Sequence, residues 1–175
     1  LIVAAIPTDS PDGEIAKEVI IGNGQNVMMS AKNLYVANTN WQYTWRAGGS
    51  TSAETTDIYR FAVTENGIAL KAQGQVPGRI LNQFSMDEDG DTFRIATTAG
   101  QMWESQKQIT NNLFILSMNL DKIGGIEEIA PGEQIYSTRF LGNRVYMVTF
   151  KNTDPFFVID TSDPKNPVIL GQLKL

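Results

Sequence analysis

An all-β fold built from copies of one four-stranded antiparallel unit is predicted by three observations. Short apolar runs alternate with polar residues at a two-residue period, as in Asp57-Ile58-Tyr59-Arg60-Phe61-Ala62-Val63. The runs are bounded by Gly, Pro, Asn and Asp in turn-forming combinations, and none carries a sustained 3.6-residue period, so the expected helix content is near zero. The runs also recur. Asp57 to Phe61, Asn112 to Leu116 and Pro155 to Ile159 read as the same strand of successive units, spaced by roughly 45 to 55 residues as in propeller blades.

Taken in order, the chain starts with half a unit. Leu1 to Ile6 reads as a strand and Pro7-Thr8-Asp9-Ser10-Pro11-Asp12-Gly13 as a turn; Ala16 to Ile21 returns, closed by Gly22-Asn23-Gly24. In the first full unit, Asn26 to Ser30 and Asn33 to Ala37 flank the turn Ala31-Lys32. A long polar excursion leads to the strand from Asp57 to Val63, and Glu65-Asn66-Gly67 leads to Ile68 to Val76, ending at Pro77-Gly78. The second unit runs through Ile80 to Met86, the turn Asp87-Glu88-Asp89-Gly90 and Thr92 to Thr97. After a second excursion, Thr98 to Thr110, come Asn112 to Met118 and Ile123 to Ala130, ending at Pro131-Gly132. The third opens at Gln134-Ile135-Tyr136, has a short excursion, Lys151 to Asp154, between Arg144 to Val148 and Phe156 to Asp160, and closes with its outermost strand, Val168 to Lys174.

The fold expected from this pattern is a partial propeller of about three and a half blades in one domain: a half blade over residues 1–24 and blades over about 25–78, 79–132 and 133–175. Three and a half blades do not close a ring. The open edges therefore call for the remaining blades of a longer chain or for a second copy, two copies supplying seven blades by count.

Composition removes several functions. A net charge of −5 lacks the basic face that phosphate backbones need, so no nucleic-acid partner is expected. The leading apolar run is too short to span a bilayer, so no membrane insertion is expected. With no histidine and no cysteine, Ser-His-Asp and Cys-His catalysis, common zinc sites and disulfides are excluded. No cofactor is expected.

Several motifs together resemble a known family. They are Asn33-Leu34-Tyr35-Val36-Ala37, Gly78-Arg79-Ile80-Leu81-Asn82-Gln83-Phe84-Ser85-Met86-Asp87, Phe93-Arg94-Ile95-Ala96-Thr97-Thr98, Arg144-Val145-Tyr146-Met147-Val148-Thr149-Phe150 and Asp154-Pro155-Phe156-Phe157-Val158-Ile159-Asp160. The chain resembles, along its whole length, secreted bacterial and archaeal proteins that carry a C-terminal β-propeller domain of uncharacterised function. The resemblance implies a propeller and a secreted or cell-surface location, and it carries over no catalytic residue.

With strands a to d running from the axis outward, b–c connections and d–a connectors share one face of a propeller. All three tryptophans fall in b–c excursions: Trp41 and Trp45 with Tyr43 in the first, Trp103 in the second. Aromatics on loops of a rigid scaffold give large contact area at low entropic cost, so Trp41, Tyr43, Trp45 and Trp103 are the candidate binding residues. The alternative, that each Trp caps its own blade, stays open. Asp87-Glu88-Asp89-Gly90-Asp91 departs from a calcium loop, with Thr92 and Thr98 where Gly and Glu are needed, and reads as a solvated turn; no metal is expected. Glu127 and Glu128 are neighbours on a strand and are expected on opposite faces.

The function these readings favour is a non-catalytic interaction module binding protein or glycan through the b–c face. A polysaccharide hydrolase or lyase using carboxylates on that face, and a purely structural domain, are the alternatives.

Overall fold

The computed structural model describes residues 1–9, 13, 15–20, 22–46, 49–65, 67–100, 109–150 and 155–174, with the backbone alone for 42–46 and 49–52. The fold is all-β. Four antiparallel sheets follow one another along the chain and do not close into a ring.

The first sheet is a pair, β1 (Ile2–Ala5) and β2 (Ala16–Val19). The second orders β3 (Asn26–Met29), β4 (Asn33–Arg46), β5 (Gly49–Thr64) and β6 (Gly67–Pro77) in sequence. The third comprises β7 (Arg79–Ile80), β8 (Met86–Asp89), β9 (Thr92–Ala99), β10 (Thr110–Ser117) and β11 (Lys122–Ile129). The fourth comprises β12 (Gln134–Leu141), β13 (Arg144–Phe150), β14 (Pro155–Asp160) and β15 (Val168–Lys174).

Four expectations fail here. Ile80 to Met86 is not one strand. β7 pairs with Thr97 and Thr98 and β8 resumes opposite Ile95, so residues 81–85 bulge out against Ala96 alone, through a 3-10 turn at Gln83–Ser85 capped by the Asn82 side chain. The supposed turn from Asp87 is strand as far as Asp89. The first excursion is not a loop either: β4 and β5 stay paired from Asn38↔Asp57 out to Arg46↔Gly49. The second excursion is partly strand, since β9 runs to Ala99 and β10 starts at Thr110; residues 101–108 and the whole third excursion, 151–154, lie outside the described residues.

The core lies between sheets. Alternation along each strand sends one set of side chains to the preceding sheet and the other to the following one. Tyr35, Ala37, Ile58 and Val76 of the second sheet pack against Phe93, Ile95, Phe114 and Leu116 of the third, with the Tyr35 and Phe93 rings stacked 4.3 Å apart. Ala96, Leu113 and Ile129 of the third meet Val145, Met147, Phe157 and Ile159 of the fourth. Ile20, Leu1 and Val3 of the first meet Val36, Tyr59 and Phe61 of the second.

Polar ties lock the same interfaces. The Tyr35 hydroxyl donates to Glu88 across the second interface at 2.6 Å, and burial, then that hydrogen bond, push its phenol far above the ordinary range. Arg94, almost wholly buried, donates to the Gly142 carbonyl and to Thr161 of the fourth sheet at 2.8 Å each, pairs with Asp87 and Asp89, and lies over the Phe140 ring. The acidic run that suggested calcium is thus engaged: Asp87 and Asp89 by Arg94, and Glu88 by Tyr35 and Asn33. Gly124 lets the turn at Pro164 approach, since a Cβ there would lie 2.0 Å from the Pro164 carbonyl oxygen.

The regular alternation that the expectation for Glu127 and Glu128 relies on is interrupted. Glu128 takes a left-handed backbone (φ 60) at a break in the β10–β11 register, which spoils the alternation, and both residues are exposed.

Candidate functional site

The d–a connectors lie on the face from which the β4–β5 ribbon projects. Pro77-Gly78 and Pro131-Gly132, matched in the sequence, are matched in geometry: both glycines have φ 88, and their amides donate to the carbonyls of Glu54, within β5 at the base of its extension, and Ile109, just before β10. Each therefore aims the next sheet's innermost strand, β7 or β12, down from the same face.

Between those two strands lies an open cavity of about 600 Å³. Arg79, Leu81 and Asn82 form one side, Gln134, Ile135 and Tyr136 the other, and Thr98 lies behind. Thr98 is fixed there: its hydroxyl donates to Asn111 and accepts from the Ile135 amide. The bulge at 81–85 projects from the inner edge of its sheet and supplies Leu81 and Asn82. Its Phe84 is half exposed and carries the Arg139 guanidinium 4.5 Å above the ring. Tyr136 is 70% exposed and tilts against Phe150, so an aromatic ring stands free at the mouth.

Beside the cavity rises the β4–β5 ribbon. β9 has eight residues and β13 seven, whereas β4 has fourteen, so about six pairs project past the rim, roughly 20 Å at 3.3 Å per residue. The ribbon is anchored at its base by side chains. Asn40 donates to Asp57 at 2.5 Å, Gln75 donates to the other oxygen of Asp57 at 2.6 Å, and Thr56 donates to the Gly78 carbonyl at 2.7 Å. Glu54, nearly buried, pairs with Arg79 at 2.8 Å, and the same nitrogen of Arg79 donates to the Gly100 carbonyl. Arg79 thus joins ribbon and cavity.

Of the residues singled out from sequence, Trp41 stands on the ribbon opposite Glu54 and is 43% exposed. Tyr43 and Trp45 pair with Ser52 and Ser50 on the same ribbon, and their side chains lie outside the described residues, as does all of Trp103. Sequence reasoning missed Arg79, Asn82, Gln134 and Tyr136. The signal was present: they follow the two Pro-Gly connectors already assigned to this face. Among the described residues no cluster of Asp and Glu is arranged to hold a metal.

Comparison with known proteins gives the architecture a lineage. An uncharacterised protein of Methanocaldococcus jannaschii is 46% identical over 102 residues, covering 58% of this chain and 16% of that protein. An uncharacterised protein of Archaeoglobus fulgidus is 39% identical over 127 residues, covering 71% of this chain and 19% of that protein. The chain spans less than a fifth of either relative. No solved structure matches it. The family model described as a beta propeller domain matches residues 1–175, and the chain belongs to that family.

Proposed function

We propose that the protein is a non-catalytic interaction module of a secreted or cell-surface protein, taking a protein or glycan ligand on the face where its b–c hairpins and d–a connectors meet. The observation that carries this reading is the ribbon anchored beside an open cavity. One supplies a projecting arm with Trp41; the other supplies a concave seat with an exposed aromatic, two amides and a guanidinium, within the size range of ligand sites, roughly 300 to 1,000 Å³. The secreted location rests on the resemblance of the motifs. The polysaccharide-acting alternative has no specific observation in its favour: the cavity lining carries no carboxylate, and Glu54 and Glu133 are engaged by Arg79 and Thr149.

The test screens the purified chain against immobilised glycans and candidate extracellular proteins, beside two variants. Tyr136→Ala empties the seat; replacing residues 42–53 with Asn-Gly shortens the ribbon to a two-residue hairpin. Binding weakened about tenfold or more by at least one variant, with unchanged circular dichroism, is expected. A ligand held equally well by both variants, or no ligand at all, sinks the proposal.

A further inference from the structure

The cavity between the third and fourth sheets is lined by the same positions of two successive repeats. Met86 opposes Ile95 and Thr138 opposes Met147; further along those strands, Thr98 and Phe150 oppose Arg79 and Gln134. Arg79 and Gln134 therefore share one position, and Ile80 and Ile135, opposite Thr97 and Thr149, share the next. Directly after that isoleucine both inner strands leave the ladder. Residues 81–85 do so in the third sheet. In the fourth it is Tyr136 alone, since Ile135 pairs with Thr149 and Ser137 already with Val148.

An extra residue in a strand re-aims its neighbours, and such bulges gather at sites. Here it sets Ile135 and Thr138 on the buried side and turns Tyr136 out to 70% exposure. The longer interruption in the third sheet brings out Leu81, 46% exposed, and Asn82. Neither Leu81 nor Tyr136 fills a core. Two breaks at one place in the repeat instead furnish the two sides of one cavity.

The lining is neutral overall and rich in donors. Arg79 is its one charged side chain, and its charge is met by Glu54, whose carboxylate is nearly buried. An anion therefore gains little there, and a cation finds no carboxylate in the lining. The Asn82 oxygen accepts the Phe84 amide, which leaves its nitrogen as a donor at the cavity. Gln134 is exposed and offers both a donor and an acceptor. Tyr136 adds an aromatic face, with the Phe150 ring 6.2 Å away. A sugar ring matches this set: its C–H face stacks on an aromatic ring, whose face is negative, and its hydroxyls both accept from and donate to amides. An extended peptide would need an unbroken strand edge to pair with, and both inner edges are interrupted at the cavity.

We propose, resting on the interaction-module reading above, that this cavity seats a neutral saccharide, with one sugar ring on Tyr136 and its hydroxyls on Asn82 and Gln134.

The test titrates the purified chain with neutral disaccharides (maltose, cellobiose, lactose and diacetylchitobiose), with digalacturonate and with an Ala-Gly-Ser peptide, following amide signals by NMR. At least one neutral disaccharide is expected to move the side-chain amide signals of Asn82 and Gln134, and to bind more tightly than the uronate or the peptide. Tyr136→Phe should keep its affinity within about twofold, and Tyr136→Ala should weaken it about tenfold or more. Asn82→Asp retains an oxygen for the Phe84 amide but removes the donor nitrogen, so a loss of about fivefold is expected without a change in fold. Four outcomes overturn the proposal: no neutral disaccharide binds; one binds but moves the Trp41 signals alone; the uronate or the peptide binds more tightly; or Tyr136→Ala and Asn82→Asp both leave sugar binding unchanged. The broader reading survives any of these if some ligand is still lost on shortening the ribbon, and falls with them if none is.

Discussion

Arg94 and Tyr35 occupy one position of the repeat, opposite Asp87 and Met28 in their hairpins, and solve one problem with different chemistry. Each must bridge to the next sheet without leaving a buried polar group unpaired. Arg94→Met strips the Gly142 carbonyl and Thr161 of a donor and leaves Asp87 and Asp89 without their cation; a loss of about 3 kcal/mol in urea unfolding is expected. Arg94→Lys recovers only part, since an ammonium cannot spread over the same acceptors. A loss below about 1 kcal/mol would show the contacts to be dispensable. Tyr35 predicts a pH effect. Its folded phenol titrates above the unfolded value of 10.0, so the native state holds the proton that the unfolded chain releases. Stability contributed by this group is complete below pH 10 and falls as pH rises beyond it, by at most about 1.4 kcal/mol per pH unit. Tyr35→Phe should unfold with a shallower alkaline limb; an identical limb would place the effect elsewhere.

At the scale of the element, the strands that sequence disclosed are those with one buried face per neighbour. Arg144-Val145-Tyr146-Met147-Val148 and Pro155-Phe156-Phe157-Val158-Ile159 alternate because the sheets on either side demand it. The ribbon escaped notice although Trp41, Tyr43 and Trp45 alternate with Gln42, Thr44 and Arg46, because the stretch they pair with, Gly49-Ser50-Thr51-Ser52-Ala53, is small and polar and shows no alternation. The bulge at 81–85 escaped because Leu81 and Phe84 keep the segment apolar while the ladder skips it. The candidate site was half legible for the same reason. Tryptophans advertise themselves by type, whereas Arg79 and Tyr136 matter by position. Shortening the ribbon at 42–53 should leave the melting temperature within about 5 °C, because its anchors, Asn40, Glu54, Thr56 and Asp57, all remain. A collapse of the fold would make the arm part of the scaffold. Gly124→Ala, by contrast, drives a methyl into the Pro164 carbonyl and should cost about 2 kcal/mol or more by chemical denaturation.

For the molecule as a whole, the interfaces between sheets repeat one direction. The side of a sheet that carries Tyr35 or Arg94 always meets the side that carries Glu88 or Phe140, and never its own kind. Such a contact is heterologous, and propagation of a heterologous contact ends in a closed ring or continues as an open fibre. Tyr146 stands at the position of Tyr35 and Arg94 and is only half-buried, stacked on Phe156. A two-fold axis through two fourth sheets would set Tyr146 against Tyr146, not against the strand-a position that receives Tyr35 and Arg94. Each of these two interfaces therefore has a direction: one sheet gives the bridging side chain and the next receives it, so the run of sheets has a head and a tail.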